Sequence, residues 1–115
     1  MIAMTTAIFT QRGKEYSISI TGHAGYSTLE PDIVCSACSV LACTLMQCVL
    51  CEEAAGNLRT LSTLEDNGNV NIRFTACDHS TVRMQSIVET IATGFAMLAH
   101  EYPDNVNLSE KTGER

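Results

Sequence analysis

"IVCSACSVLACTLMQCVLCEEAAGN", residues 33–57, decides how the rest of this chain is read. From Ile33 to Cys51 it carries no charge, a length that would cross a bilayer. Ser36, Ser39, Thr44 and Gln47 make it too polar along one side for lipid, and Glu52 and Glu53 follow at once. Gly56-Asn57 is a stop signal, because glycine takes the left-handed conformation that ends a helix without steric cost. The expectation is a buried helix over 33–55 in a protein with no membrane span.

Working outward, the N-terminal "MIAMTTAIFTQRGK" has no basic region before its apolar one and alternates like a strand, which is unlike a signal peptide. Strands are expected over 2–10 and 15–21, joined by a turn at Gly13. Residues 22–31 form a loop. "LRTLSTLED" and "NVNIRFTA" flank Asn67-Gly68, a second hairpin. A second helix starts at Ser80 or Thr81. It carries Met84, Ile87, Val88, Ile91, Phe95 and Leu98 on one apolar stripe and stops at Pro103. "NVNLS" adds a short edge strand, and disorder is expected only in the tail "SEKTGER". The order ββαββα implies an α+β fold, two helices on a small antiparallel or mixed sheet, in a single domain over 1–115.

The chain is 45% hydrophobic and 17% charged, enough for a real but small core. A net charge of -6 argues against unspecific nucleic-acid binding, which needs a basic face. Five of the six cysteines, Cys35, Cys38, Cys43, Cys48 and Cys51, lie within one helical segment. Disulfide scaffolds spread cysteines over loops, so these read as reduced, mostly buried thiols of a cytoplasmic protein. The pairs Cys35/Cys38 and Cys48/Cys51 mimic a zinc site, but a continuous helix holds them about 20 Å apart. No metal or cofactor is expected.

His79 and His100 read as structural. His23 and Cys35 do not, because they stand at the two ends of the polar loop. Cys35 falls in the first turn of the helix if Asp32 is its cap, or one turn in if Glu30 caps and Pro31 follows. In both cases the free N–H groups and positive end of the helix dipole favour thiolate over thiol. The loop is long enough to return His23 to that helix start. A thiolate–imidazolium pair is an activated nucleophile, although spacing alone also allows a packed cysteine and an idle histidine.

"TGHAGYS" and "PDIVCSACS" together resemble the ribosomal-processing cysteine protease family, whose pattern is roughly G-H-A, a short glycine-containing loop, then D-I-V-C-A-A-x-S. Gly22, His23, Ala24, Asp32, Ile33, Val34, Cys35, Ala37 and Ser39 match, and the likeness continues through "LEDNGNVNI" and "EYPDNVNL". Thr28-Leu29-Glu30-Pro31 replaces a segment that commonly holds glycine, and Ser36 and Cys38 replace alanine and an apolar residue. The resemblance implies a homodimeric cysteine endopeptidase with Cys35 as nucleophile and His23 as general base and acid. Asp32, Ser39 and Gly22 would support them. The implied substrate is the N-terminal extension of a large-subunit ribosomal protein, number twenty-seven, cut after two aromatic residues. Family members also occur in phage genomes, where a capsid component is the alternative substrate. A thiol-redox role for Cys35 and Cys38 is the rival from another class.

Overall fold

The computed structural model describes residues 4–22 and 32–113. The elements are β1 (Thr5–Arg12), β2 (Glu15–Thr21), α1 (Ile33–Ala54), β3 (Leu58–Asp66), β4 (Asn69–Ala76), α2 (Thr81–Glu101) and β5 (Val106–Gly113). The fold is α+β, with the expected ββαββα order extended by a fifth strand. All five strands form one mixed sheet in the order β3-β4-β2-β1-β5. Its neighbours pair antiparallel except β5, which runs parallel to β1 from Thr5↔Val106 to Arg12↔Gly113.

Local chemistry explains the joints. Asn67 and Gly68 both have positive φ, 51° and 82°, which is the geometry that suits the twist of a two-residue hairpin. At the end of α1, Gly56 has φ 80° and donates to Glu53 O at 3.0 Å, while Asn57 donates to Glu52 O at 2.9 Å. Those two bonds satisfy carbonyls the helix ladder leaves open. Ser80 turns its hydroxyl back onto Asn57 O and Cys77 O ahead of α2.

Alternation in the strands sends Ala7, Phe9, Tyr16, Ile18, Ile20, Val70, Ile72 and Phe74 to one face, where both helices cover them. Phe9 meets Phe95 of α2 with ring centroids 6.0 Å apart. The helices approach closely at Gly94, where a Cβ would stand 2.7 Å from the Leu41 side chain. The opposite sheet face stays uncovered and mainly polar, with Thr6, Thr10, Ser17, Asn71 and Arg73 on it.

Two expectations are corrected. Residues 109–113 of the supposed tail belong to β5, because pairing with β1 satisfies their backbone groups. The helix α1 is only partly buried. Val34, Cys38, Ala42, Leu45, Val49 and Glu52 form its inner stripe, but Ile33, Val40 and Leu50 are 57%, 64% and 43% exposed. Its cysteines point all round: Cys38 is buried, Cys35 and Cys48 are intermediate, and Cys43 and Cys51 are exposed. All six thiols of the chain are free.

The one acid on that inner stripe is held by a clamp. Glu52 accepts from Arg83 Nε at 2.5 Å and Nη2 at 3.0 Å, and from Asn57 Nδ2 at 2.9 Å. The Arg83 hydrogen bonds hold its carboxyl below the ordinary range, against the opposing effect of burial. A lowered carboxyl contributes stability above the pH at which the unfolded glutamate titrates, about 4.3. That contribution disappears as pH falls through the lower folded value. Glu52→Gln is therefore expected to be less stable than wild type at pH 7 and to converge on it towards pH 3 in urea melts. A constant gap between the two across that range would show that the charge of Glu52 adds nothing.

Candidate active site

The start of α1 is built by one carboxylate. Asp32 is extended, with φ -84° and ψ 107°, and its Oδ1 accepts from the N–H groups of Val34 and Cys35, each at 3.0 Å. Its carbonyl accepts from the Ser36 N–H and hydroxyl, both at 3.0 Å. Asp32 is thus the cap, and Cys35 is the third residue of the helix. Cys35 is half-buried against the core, and Ser39, one turn on, is exposed.

Cys38 faces inward and is 5% exposed. Burial pushes its thiol pKa up, the Thr5 hydroxyl opposes this by hydrogen bonding, and the charges of Cys35 and Asp32 add to the rise. It is held as a thiol. Thr5, itself buried, is the first residue of β1 and was not singled out by the sequence reading, which had no signal linking a strand start to a helix 33 residues on.

Gly22 reaches the same place from β2. It has φ +88°, and a Cβ there would stand 2.3 Å from Met4 O and 3.7 Å from Thr5 Cα. Its N–H donates to Asn69 Oδ1 at 3.0 Å. So the end of β2 and the first turns of α1 both close on Met4–Thr5, Gly22 by backbone and Cys38 by side chain. Gly22 needs to be glycine on two counts, conformation and space. Asn69 was also unforeseen, because its partner lies 47 residues away.

His23, the expected base, lies outside the described residues, as do Ala24, Glu30 and Pro31. Of the other histidines, His79 Nε2 sits 3.2 Å from Asn57 Oδ1, beyond the opposite end of α1 from Cys35. A helix of that length, 22 residues, spans about 33 Å, which removes His79 from the chemistry of Cys35. His100 is exposed in the last turn of α2. Among the described residues no group of three or more histidine, cysteine and acidic side chains is placed to hold a metal ion.

A half-buried thiol on the first turn of a helix can serve as a nucleophile towards a peptide carbonyl. A family model described as cysteine protease Prp matches residues 1–107. The chain belongs to the Prp family. It is a cysteine protease, a hydrolase.

Solved structures agree with the Prp fold. SMU.848 from Streptococcus mutans is 27% identical, with 96% of each chain covered and a TM-score of 0.67. The essential ribosomal processing protease Prp from S. aureus has been solved with a covalently linked product peptide and with a substrate peptide. The product complex is 21% identical with a TM-score of 0.69, and the substrate complex 20% identical with a TM-score of 0.65. In both, 93% of this chain and 99% of the other are covered. At these identities the likeness concerns the fold. Comparison with curated protein sequences finds no match.

Proposed function

We propose that this Prp-family chain is a ribosomal-processing endopeptidase of the cytoplasm, using Cys35 as nucleophile and His23 as general base and acid. The substrate is the N-terminal extension of the large-subunit ribosomal protein number twenty-seven. The observation that carries the reading is the seat of Cys35, third in α1 and half-exposed, where the ends of β2 and α1 close together on Thr5. The S. aureus ribosomal processing protease, solved with a substrate peptide and with a product peptide, supports a substrate of this class.

In the reaction the Cys35 sulfur attacks the scissile carbonyl carbon, forming a tetrahedral oxyanion. Collapse breaks the C–N bond, His23 gives its proton to the leaving amine, and a thioester remains. Water, deprotonated by His23, then attacks the thioester, releasing the new carboxyl terminus and the thiol. Helix-start N–H groups are the natural oxyanion donors, but those of Val34 and Cys35 are already bonded to Asp32. Asp32 therefore both builds the helix start and competes for its donors. A redox exchange between Cys35 and Cys38 is disfavoured, since Cys38 is buried and held as a thiol.

The test is a synthetic peptide bearing the extension with its aromatic pair, incubated with reduced protein and read by mass spectrometry. Cleavage after the second aromatic residue is the expected result. An intact peptide alongside cleavage of a phage capsid peptide would move the substrate and keep the chemistry. Neither peptide cut would overturn the reading.

The active form we propose is a homodimer. The outer face of α1 exposes three large apolar side chains among its hydroxyls, and such a patch is a common interaction surface. Ile33, Val40 and Leu50 lie on its outer face, in register with Cys43, at spacings that suit a helix from a second copy. Light scattering is expected to give the mass of two chains. Val40→Lys combined with Leu50→Lys is expected to return one chain at micromolar concentration. A wild-type monomer would remove the dimer from the proposal.

A further inference from the structure

The net charge of -6 conceals where the positive charges sit. Six of the seven lysines and arginines are among the described residues. Lys14 pairs with Asp78 and Arg83 with Glu52. The other four are Arg12, Arg59, Arg73 and Lys111, and strand register gathers them on the uncovered sheet face.

Two adjacent rows cross the whole sheet. One runs Gly113, Arg12, Glu15, Thr75, Arg59, and the next runs Lys111, Thr10, Ser17, Arg73, Ser62. Partners in register share a face, so these ten positions look outward together. They hold four cations and one acid, Glu15; Arg59 also feels Asp78 across its edge of the sheet. The rows enclose a concavity of about 710 Å3 whose lining includes Arg12, Arg73, Thr10, Ser17, Thr60 and Thr75. Thr60 is a β-branched residue at φ 56°, where register shifts between Arg59 and Ser62. That bulge turns its hydroxyl to within 2.9 Å of Thr75 Oγ1, on the wall of the concavity.

We propose that this face is a docking site for the phosphate backbone of RNA, separate from the peptidase centre. Charge complementarity selects an anion, and three arginines of the four cations suit phosphate oxygens, with hydroxyl donors between them. The width selects a polyanion. Arg12 and Arg59 stand three strand spacings apart, about 14 Å, and Lys111 lies a strand beyond Arg12. A single small phosphate ligand cannot reach all of them. An acidic peptide fits less well. On a sheet face the backbone groups beneath are already paired, so the peptide's own N–H and C=O groups would find few partners. Tyr16 and Phe74 also border the concavity, but both are buried and their rings stack on each other, and the two rows carry no aromatic residue, so the site reads backbone phosphates and not stacked bases. The site is remote from Cys35. Arg12 is seven residues along β1 from Thr5, about 24 Å, and on the side of the sheet away from the helices.

The inference does not depend on the proposed substrate, and its test keeps the two apart. A fluorescently labelled RNA hairpin is titrated with the full chain at several salt concentrations. Wild type is expected to bind at 50 mM salt or below, about the low-salt regime where few-contact binders are seen, with log affinity falling at a slope of about -3 against log salt. Arg12→Gln with Arg73→Gln is expected to weaken binding about tenfold or more and to halve the slope. Arg12→Lys with Arg73→Lys keeps the slope, which separates lost charge from lost fold. Cys35→Ala binds RNA like wild type, and the double glutamine variant still cuts a short peptide at the wild-type rate. No wild-type binding at low salt, an unchanged slope in the glutamine variant, or binding of polyglutamate or ATP in place of the hairpin would each overturn the proposal.

Discussion

Cys35→Ala is expected to abolish peptide cleavage, with kcat reduced by about four orders of magnitude or more. The chain is a cysteine protease by family, so one of its six thiols must form the acyl intermediate. The structure narrows the choice. Cys38 is buried and kept as a thiol, and Cys43 and Cys51 are exposed along the middle and end of α1, away from any closing strand. Cys48 lies further along α1 and Cys77 just after β4, neither near the helix start. Cys35 alone of them stands on the first helical turn. The experiment measures steady-state cleavage of the extension peptide by wild type, Cys35→Ala, Cys38→Ala and Cys43→Ala. Cys38→Ala and Cys43→Ala are expected to keep most activity. Appreciable turnover by Cys35→Ala would reassign the nucleophile, and loss in Cys38→Ala with its fold intact would return the thiol pair to consideration.

Gly22→Ala is expected to cost about 3 kcal/mol of stability, with cleavage lost beyond what the unfolded fraction explains. Two penalties combine at this position. A residue with a Cβ is strained at φ +88°, and that Cβ would lie 2.3 Å from the carbonyl oxygen of Met4. The obstacle is backbone, so it cannot turn aside as a flexible side chain would. Relief requires Met4–Thr5 to move, and Thr5 is the residue that hydrogen-bonds Cys38 behind the nucleophile. Urea melts read the first effect, and cleavage rates corrected for the folded fraction read the second. Asn69→Ala, which removes only the acceptor of the Gly22 N–H, is expected to cost about 1 kcal/mol. A Gly22→Ala protein as stable as wild type would show that the β2 terminus adapts, and that the glycine is there for another reason.

Elements whose signals are local were legible in the chain before any contact was known. Asp32 caps α1 through atoms two and three residues away, Gly56 ends it within one turn, and Asn67-Gly68 makes its hairpin from its own two φ angles. The apolar stripe of α2 is equally legible, since Met84, Val88, Ile91 and Phe95 recur at the helical period and are all buried. The candidate nucleophile could be read for the same reason, because a helix start and a thiol three residues into it lie in one short motif.

Features that depend on distant partners emerged with the packed fold. β5 is a full strand because β1, about a hundred residues earlier, offers a parallel edge; its own residues, Ser109, Glu110 and Lys111, read as tail. Thr5 and Asn69 support the site through contacts that no local pattern encodes. Ser36, Ser39, Thr44 and Gln47 are interleaved along α1 with Ile33, Val40 and Leu50, so its sequence marked the helix without marking sharply which side was buried; packing against the sheet chose the stripe from Val34 to Glu52 and left Val40 and Leu50 outside. Net charge is a sum and carries no position. The register of five strands collected four cations on one face of an acidic chain, and only pairing across the sheet brings Arg12, Arg59, Arg73 and Lys111 together.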